Sequence, residues 1–105
     1  MQKPTLECAL LAAMVARHAW GSPISETDLL SVAAVESHQH RRASRALQRL
    51  RERRYVRRHP DDRVSLVTDE FGRLADVLYH DCGWEPFEIR LRLKHYEGWE
   101  THEWC

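Results

Sequence analysis

The chain has 105 residues, 43% of them hydrophobic and 30% charged, a size that suits one domain and excludes a TIM barrel or a full dinucleotide-binding fold. Its 16 basic and 16 acidic residues cancel, yet ten arginines fall between Ser37 and Arg63 against three acids, so one segment is strongly positive and the remainder equally negative. No apolar run reaches the roughly 18 residues of a membrane helix, and Met1-Gln2-Lys3-Pro4 lacks the basic-then-apolar layout of a signal peptide; the expectation is a cytoplasmic protein without membrane contact.

Pro4-Thr5 opens the first periodic segment. Leu6, Leu10, Ala13, Met14 and Arg17 recur at three- and four-residue steps, predicting a helix over about 5–20 that Gly21-Ser22-Pro23 stops. Ser25, with Asp28 three positions on, resembles a capping box and starts a short second helix, 26–34, whose apolar face is Leu29, Leu30, Val32 and Ala33. Glu36-Ser37 is a further break-and-cap signal, and a third helix follows over 37–53. On it Ala43, Ala46, Leu47 and Leu50 fall within about 100° and face inward. His38, Arg41, Arg45 and Arg49 lie opposite, flanked by Arg42 and Gln48.

After that helix the period changes. Tyr55-Val56 and Val64–Val67 read as two short strands joined by the polar turn 57–63, with Pro60-Asp61-Asp62 at its tip. Thr68-Asp69-Glu70 caps a fourth helix running to about His80, with Phe71, Leu74, Ala75, Val77 and Leu78 inward. The tail 81–105 carries Trp84, Trp99, Trp104, Phe87 and Tyr96. Phe87, Ile89, Leu91 and Leu93 alternate with charged residues as in a strand, while Pro86 suits the first position of a helix. The tail is expected as a helix-like or extended extension packed on the 1–80 domain or on a partner. The fold class is mainly α with a small two-stranded β-wing, an α+β arrangement.

Fourteen of the sixteen basic residues are Arg, whose planar fork suits bidentate contact with phosphate or guanine. A solvated helix face is the plainer reading of such a run, but this surplus exceeds what solubility asks. One aliphatic face and one row of guanidiniums a turn apart would let the third helix rest on a core while its outer edge enters a major groove.

The order of helices and strands, together with Arg45-Ala46-Leu47-Gln48-Arg49-Leu50 leading into Tyr55-Val56-Arg57-Arg58 and with Val67-Thr68-Asp69-Glu70-Phe71-Gly72-Arg73, resembles the winged helix-turn-helix DNA-binding proteins, MarR- and PadR-like regulators, over residues 5–80. Arg54 stands where those families commonly place Gly, and Phe71 adds a residue between the Thr and Gly steps. The resemblance implies a transcriptional regulator that binds double-stranded DNA as a homodimer. It would present Ser37, His38, His40, Arg41, Arg42, Arg45 and Arg49 from the recognition helix, and Arg57, Arg58, His59 and Arg63 from the wing. Histidines ordinarily titrate near pH 6.5, so His38, His40 and His59 at the interface would tighten binding as pH falls from about 8 to 6. The first helix and the Trp-rich tail are the expected dimer surfaces.

A competing reading is a protein-interaction module or RNA-binding adaptor that uses the tail's tryptophans as anchors. His80, Cys82, His102 and Cys105, with His95 between them, have the ligand chemistry of a structural zinc, but the plainer reading is Cys and His packed among the tryptophans or exposed, and no metal is expected. The three cysteines, odd in number and widely spaced, do not look like a secreted disulfide framework, and Cys8 reads as a buried small hydrophobe. No Gly-rich phosphate loop, nucleophile elbow or His-Glu-x-x-His motif occurs, so neither a cofactor nor catalysis is expected.

Overall fold

The structure, a computed structural model, describes residues 5–94 and 96–102. Along them run α1 (Leu6–Ala16), β1 (Ile24–Ser25), α2 (Glu26–Val32), α3 (His40–Arg51), β2 (Val56–His59), β3 (Arg63–Leu66), α4 (Phe71–His80) and α5 (Pro86–Arg92), with 3₁₀ turns at Ser37–Gln39 and Thr68–Glu70. The described residues form an α+β fold of five α-helices and one three-stranded antiparallel sheet, ordered β1-β3-β2. No helix among them is long and apolar enough to cross a membrane.

Thr5 caps α1 as the sequence predicts, its hydroxyl accepting the Cys8 N–H at 3.1 Å. Cys8, Leu10, Leu11, Ala13, Met14 and Val15 are all buried, because a helix apolar round most of its circumference settles inside rather than on a surface. Arg17, expected on the inward stripe, is instead the exposed C-cap. The helix ends there because the Ala19 N–H reaches back to the Met14 carbonyl and the His18 N–H to that of Val15, a Schellman closure with His18 at φ 51°. Pro4, the other predicted start, lies outside the described residues.

The sequence predicts a two-stranded hairpin, and the sheet has a third strand. Ile24 and Ser25 pair with Val64 and Arg63 of β3, and the Leu66 N–H donates to the Ala19 carbonyl at 2.6 Å, carrying the contact past the strand's end. A two-residue strand is too short to show alternation, so the sequence has no period by which to reveal it. Ser25 meanwhile caps α2, accepting the Asp28 N–H at 3.2 Å. Ser37 and Thr68 do not act as the predicted side-chain caps. Each opens a 3₁₀ turn, and α3 and α4 begin three residues later without a side-chain cap bond. The tightened turns satisfy leading amides through i−3 carbonyls, as in the Gln39 N–H to Glu36 bond at 2.8 Å.

The described part of the tail holds one short helix, α5, at Pro86–Arg92, followed by turns. Ile89 and Leu93 are fully buried, and Trp84, Tyr96 and Trp99 pack half-buried against the core. The Trp99 indole donates to the Leu93 carbonyl at 3.0 Å, and His102 lies 3.1 Å from Asp76 of α4. Cys8 and Cys82 form a disulfide joining the first turn of α1 to the residue after the α4 cap. This corrects the reading of Cys8 as an unbonded hydrophobe: its partner is 74 positions away, and spacing alone cannot assign such a pairing. The groups considered for zinc are divided. Cys82 is sulfur-bonded, His102 lies against Asp76, His80 is exposed, and His95 and Cys105 lie outside the described residues. Among the described residues no set of three His, Cys, Asp or Glu could hold a metal.

Candidate nucleic-acid interface

The interface starts from the amphipathicity of α3. Ala43, Ala46, Leu47 and Leu50 are buried to 1% exposure or less, packing the helix against α1 and α2. Three of the four cationic positions on the far side, Arg41, Arg42 and Arg45, are exposed and make no hydrogen bond or ion pair among the described residues. Arg49 is exposed too, but its Nε is paired with the Glu7 carboxylate of α1. One cation of the expected row is therefore tied to the body of the fold. Arg45, Gln48, Arg49 and Glu52 line a shallow groove along the same edge, so an acid closes the C-terminal end of an otherwise basic strip.

The turn before α3 carries the next group. Ser37 and His38 are exposed on the 3₁₀ turn, with His38 Nδ1 3.3 Å from Glu36. His40 begins α3, and its Nε2 lies 3.3 Å from the Val35 carbonyl. Both rings are engaged by their own chain just where a phosphate would meet the helix start.

Register decides which hairpin residues point outward. Val56 pairs with Leu66, Arg57 with Ser65, Arg58 with Val64 and His59 with Arg63. Alternation places Val56, Leu66, Arg58 and Val64 on the face toward the core and Arg57, His59, Ser65 and Arg63 on the other. Arg58 nonetheless reaches solvent, as do Arg57 and Arg63, and none of the three has a partner among the described residues. His59 is half-buried and 2.7 Å from the Ser65 hydroxyl, so it braces the hairpin rather than projecting from it. The tip is the three-residue turn Pro60-Asp61-Asp62, with Asp61 at φ 63° and Asp62 at φ 57°, which puts two carboxylates ahead of the flanking cations.

Arg51, which the sequence does not distinguish from its neighbours, connects helix and hairpin. Its side chain is only 18% exposed, and it donates to the Asp62 carbonyl at 3.4 Å. The signal was present in part: Arg51 lies one position beyond the last inward Leu, where a long side chain can bury its stem and keep its charge at the edge. A separate open cleft of about 610 Å³ lies between the start of α1, the α3–β2 connection and α4, lined by Glu7, Tyr55, Arg53, Arg73, Asp76 and Asp81 among others. Its charges are of both signs. No family model, curated protein or solved structure matches the chain.

Proposed function

We propose that the chain is a winged helix-turn-helix protein that binds double-stranded DNA, with α3 in the major groove and the β2–β3 hairpin as a wing on the adjacent backbone, acting as a transcriptional regulator. The observation that carries this reading is that Arg41, Arg42, Arg45, Arg57, Arg58 and Arg63 lie exposed together on one helix edge and the neighbouring hairpin, with no ion pair among the described residues. Arg49, Arg51 and Arg73 are paired, and the other exposed arginines without an ion pair among the described residues (Arg17, Arg53, Arg54, Arg90, Arg92) lie off those two elements. Guanidiniums left unpaired along one helix edge and the neighbouring hairpin suit a polyanion. The element order and the β1-β3-β2 sheet agree with that fold, and a 12-residue helix is about 18 Å long, enough to lie along a major groove. Within the proposed interface, Arg41, Arg42 and Arg45 read bases or grip phosphates, Arg57, Arg58 and Arg63 hold the flanking backbone, and Arg49, His38, His40 and His59 position the surface. A regulator of this kind works where the DNA is, in line with the cytoplasmic location expected from the sequence. The Cys8–Cys82 disulfide, a bond rare in a reducing cytosol, weighs against that location.

Titrating the protein into labelled duplex DNA across a salt series tests the proposal. Six phosphate contacts predict a log–log slope of about −5. Combined Arg41→Ala, Arg42→Ala and Arg45→Ala should abolish measurable binding, while Arg57→Ala with Arg63→Ala should weaken it on every sequence alike and flatten the slope by about 2. A slope near zero, or binding that survives the arginine changes but is lost on substituting Trp84 and Trp99, overturns the reading in favour of an interaction module.

A further inference from the structure

On α5 the alternating apolar residues fall into two pairs, four apart. Ile89 and Leu93 are fully buried, whereas Phe87 is 78% exposed and Leu91 60%. Phe87 and Leu91 make one apolar ridge along the outside of the helix. Glu88 and Arg92 stand together on one flank of the ridge. Both are exposed and, being four apart, could pair within the helix, yet neither has an ionic partner among the described residues. On the other flank Arg90 lies 5.8 Å over the ring of its own Trp99, drawn away from the ridge.

We propose that α5 pairs antiparallel with α5 of a second copy of this chain. The charge order selects that partner. In a two-fold antiparallel helix pair, equivalent flanks face each other with their direction reversed, so Glu88 of one copy meets Arg92 of the other, twice per dimer. The same geometry interleaves the apolar side chains, bringing each Phe87 just past the other copy's Leu91. A notch of about 140 Å³ lies there, lined by His18, Trp20, Leu91, Arg92 and Lys94. Trp20 and Leu91 supply the apolar part of that lining, where a phenyl edge can rest beside three polar side chains. A seven-residue helix is only about 10 Å long, so the interface belongs at the small end of specific contacts and the dimer is concentration-dependent. The inference does not rest on the DNA-binding reading, since it needs only the protein. It places the expected homodimer on the tail the sequence favoured, but through Phe87 and Leu91 of α5, while Trp84 and Trp99 pack on the core.

Sedimentation equilibrium over a concentration series tests it, with far-ultraviolet circular dichroism confirming that each variant is folded. Wild type should move from monomer to dimer. Phe87→Ser with Leu91→Ser should remain monomeric. Glu88→Arg alone and Arg92→Glu alone should each weaken self-association about tenfold or more, since each turns two attractions into repulsions. An equimolar mixture of those two single variants should recover dimer close to the wild-type level, because the mixed pair restores both contacts. A wild type that stays monomeric throughout, a folded Phe87→Ser/Leu91→Ser chain that still dimerises, or a mixture no tighter than its components overturns the proposal.

Discussion

Ala34 sits at φ 55°, the residue after the α2 cap, where its N–H donates to Ser31 and the Val35 N–H to Leu30. That closure favours Gly, and a Cβ there costs about 1–2 kcal/mol, offset in part by the entropy a glycine would lose on folding. Ala34→Gly should therefore stabilise the chain by about 0.5–1 kcal/mol, read as a rise in denaturation midpoint at unchanged slope. Tyr55 offers a second test at this scale. Burial pushes its hydroxyl above the ordinary phenol range; nearby Arg53 pulls the other way, and Glu7 and Asp81 add to the rise. The folded state thus favours the neutral phenol. The resulting stability is present below about pH 10 and is lost as pH climbs through the folded value, because the unfolded chain gives up its proton first. Tyr55→Phe should remove this part of the alkaline loss in denaturation series, and phenolate absorbance should show one fewer late-titrating tyrosine.

Among the elements, the tail depends on two close approaches to Tyr96. A Cβ at Gly98 would overlap the Tyr96 ring, and one at Gly72 would stand 2.8 Å from its hydroxyl. Tyr96 lies edge-on to Trp99 and His102, with ring centres at 4.9 and 5.7 Å, so displacing it disturbs the group that holds the tail on α4. Gly98→Ala should destabilise by about 1–3 kcal/mol with a change in tryptophan fluorescence. Gly72→Ala should cost less, because only the ring's far end need move. The legibility of each element follows its length and period. In α3 the sequence pattern specifies both the buried face and the basic one, since twelve residues span more than three turns. β1 leaves no trace at two residues. The α5 spacing fits both periods, because positions two apart in a strand are also the four-apart rows of a helix read in two sets; Pro86 at the helix start is what separates them. The pairing of Arg49 with Glu7 and of Arg51 with Asp62 depends on tertiary neighbours and has no local sign.

At the scale of the whole molecule, charge separation and the disulfide act together. The surplus positive charge sits on α3 and the hairpin, while α1 and α4 meet at the Cys8–Cys82 bond, outside that surface. In the chain-entropy account, closing a loop of 74 positions is worth about 4 kcal/mol through the unfolded state. Reduction, or Cys8→Ser with Cys82→Ser, should lower thermal stability by about 2–4 kcal/mol while leaving the proposed duplex binding unchanged at temperatures where the fold persists. The proposed interface contains neither sulfur.

The same bond makes residues 8–82 a covalent ring with the hairpin tip on its circumference. A single protease nick between Pro60 and Asp62 opens the ring without releasing a piece. The cut protein should migrate as one species without reductant and as two once the bond is broken, and the cleaved hairpin remains tethered to the helix beside it.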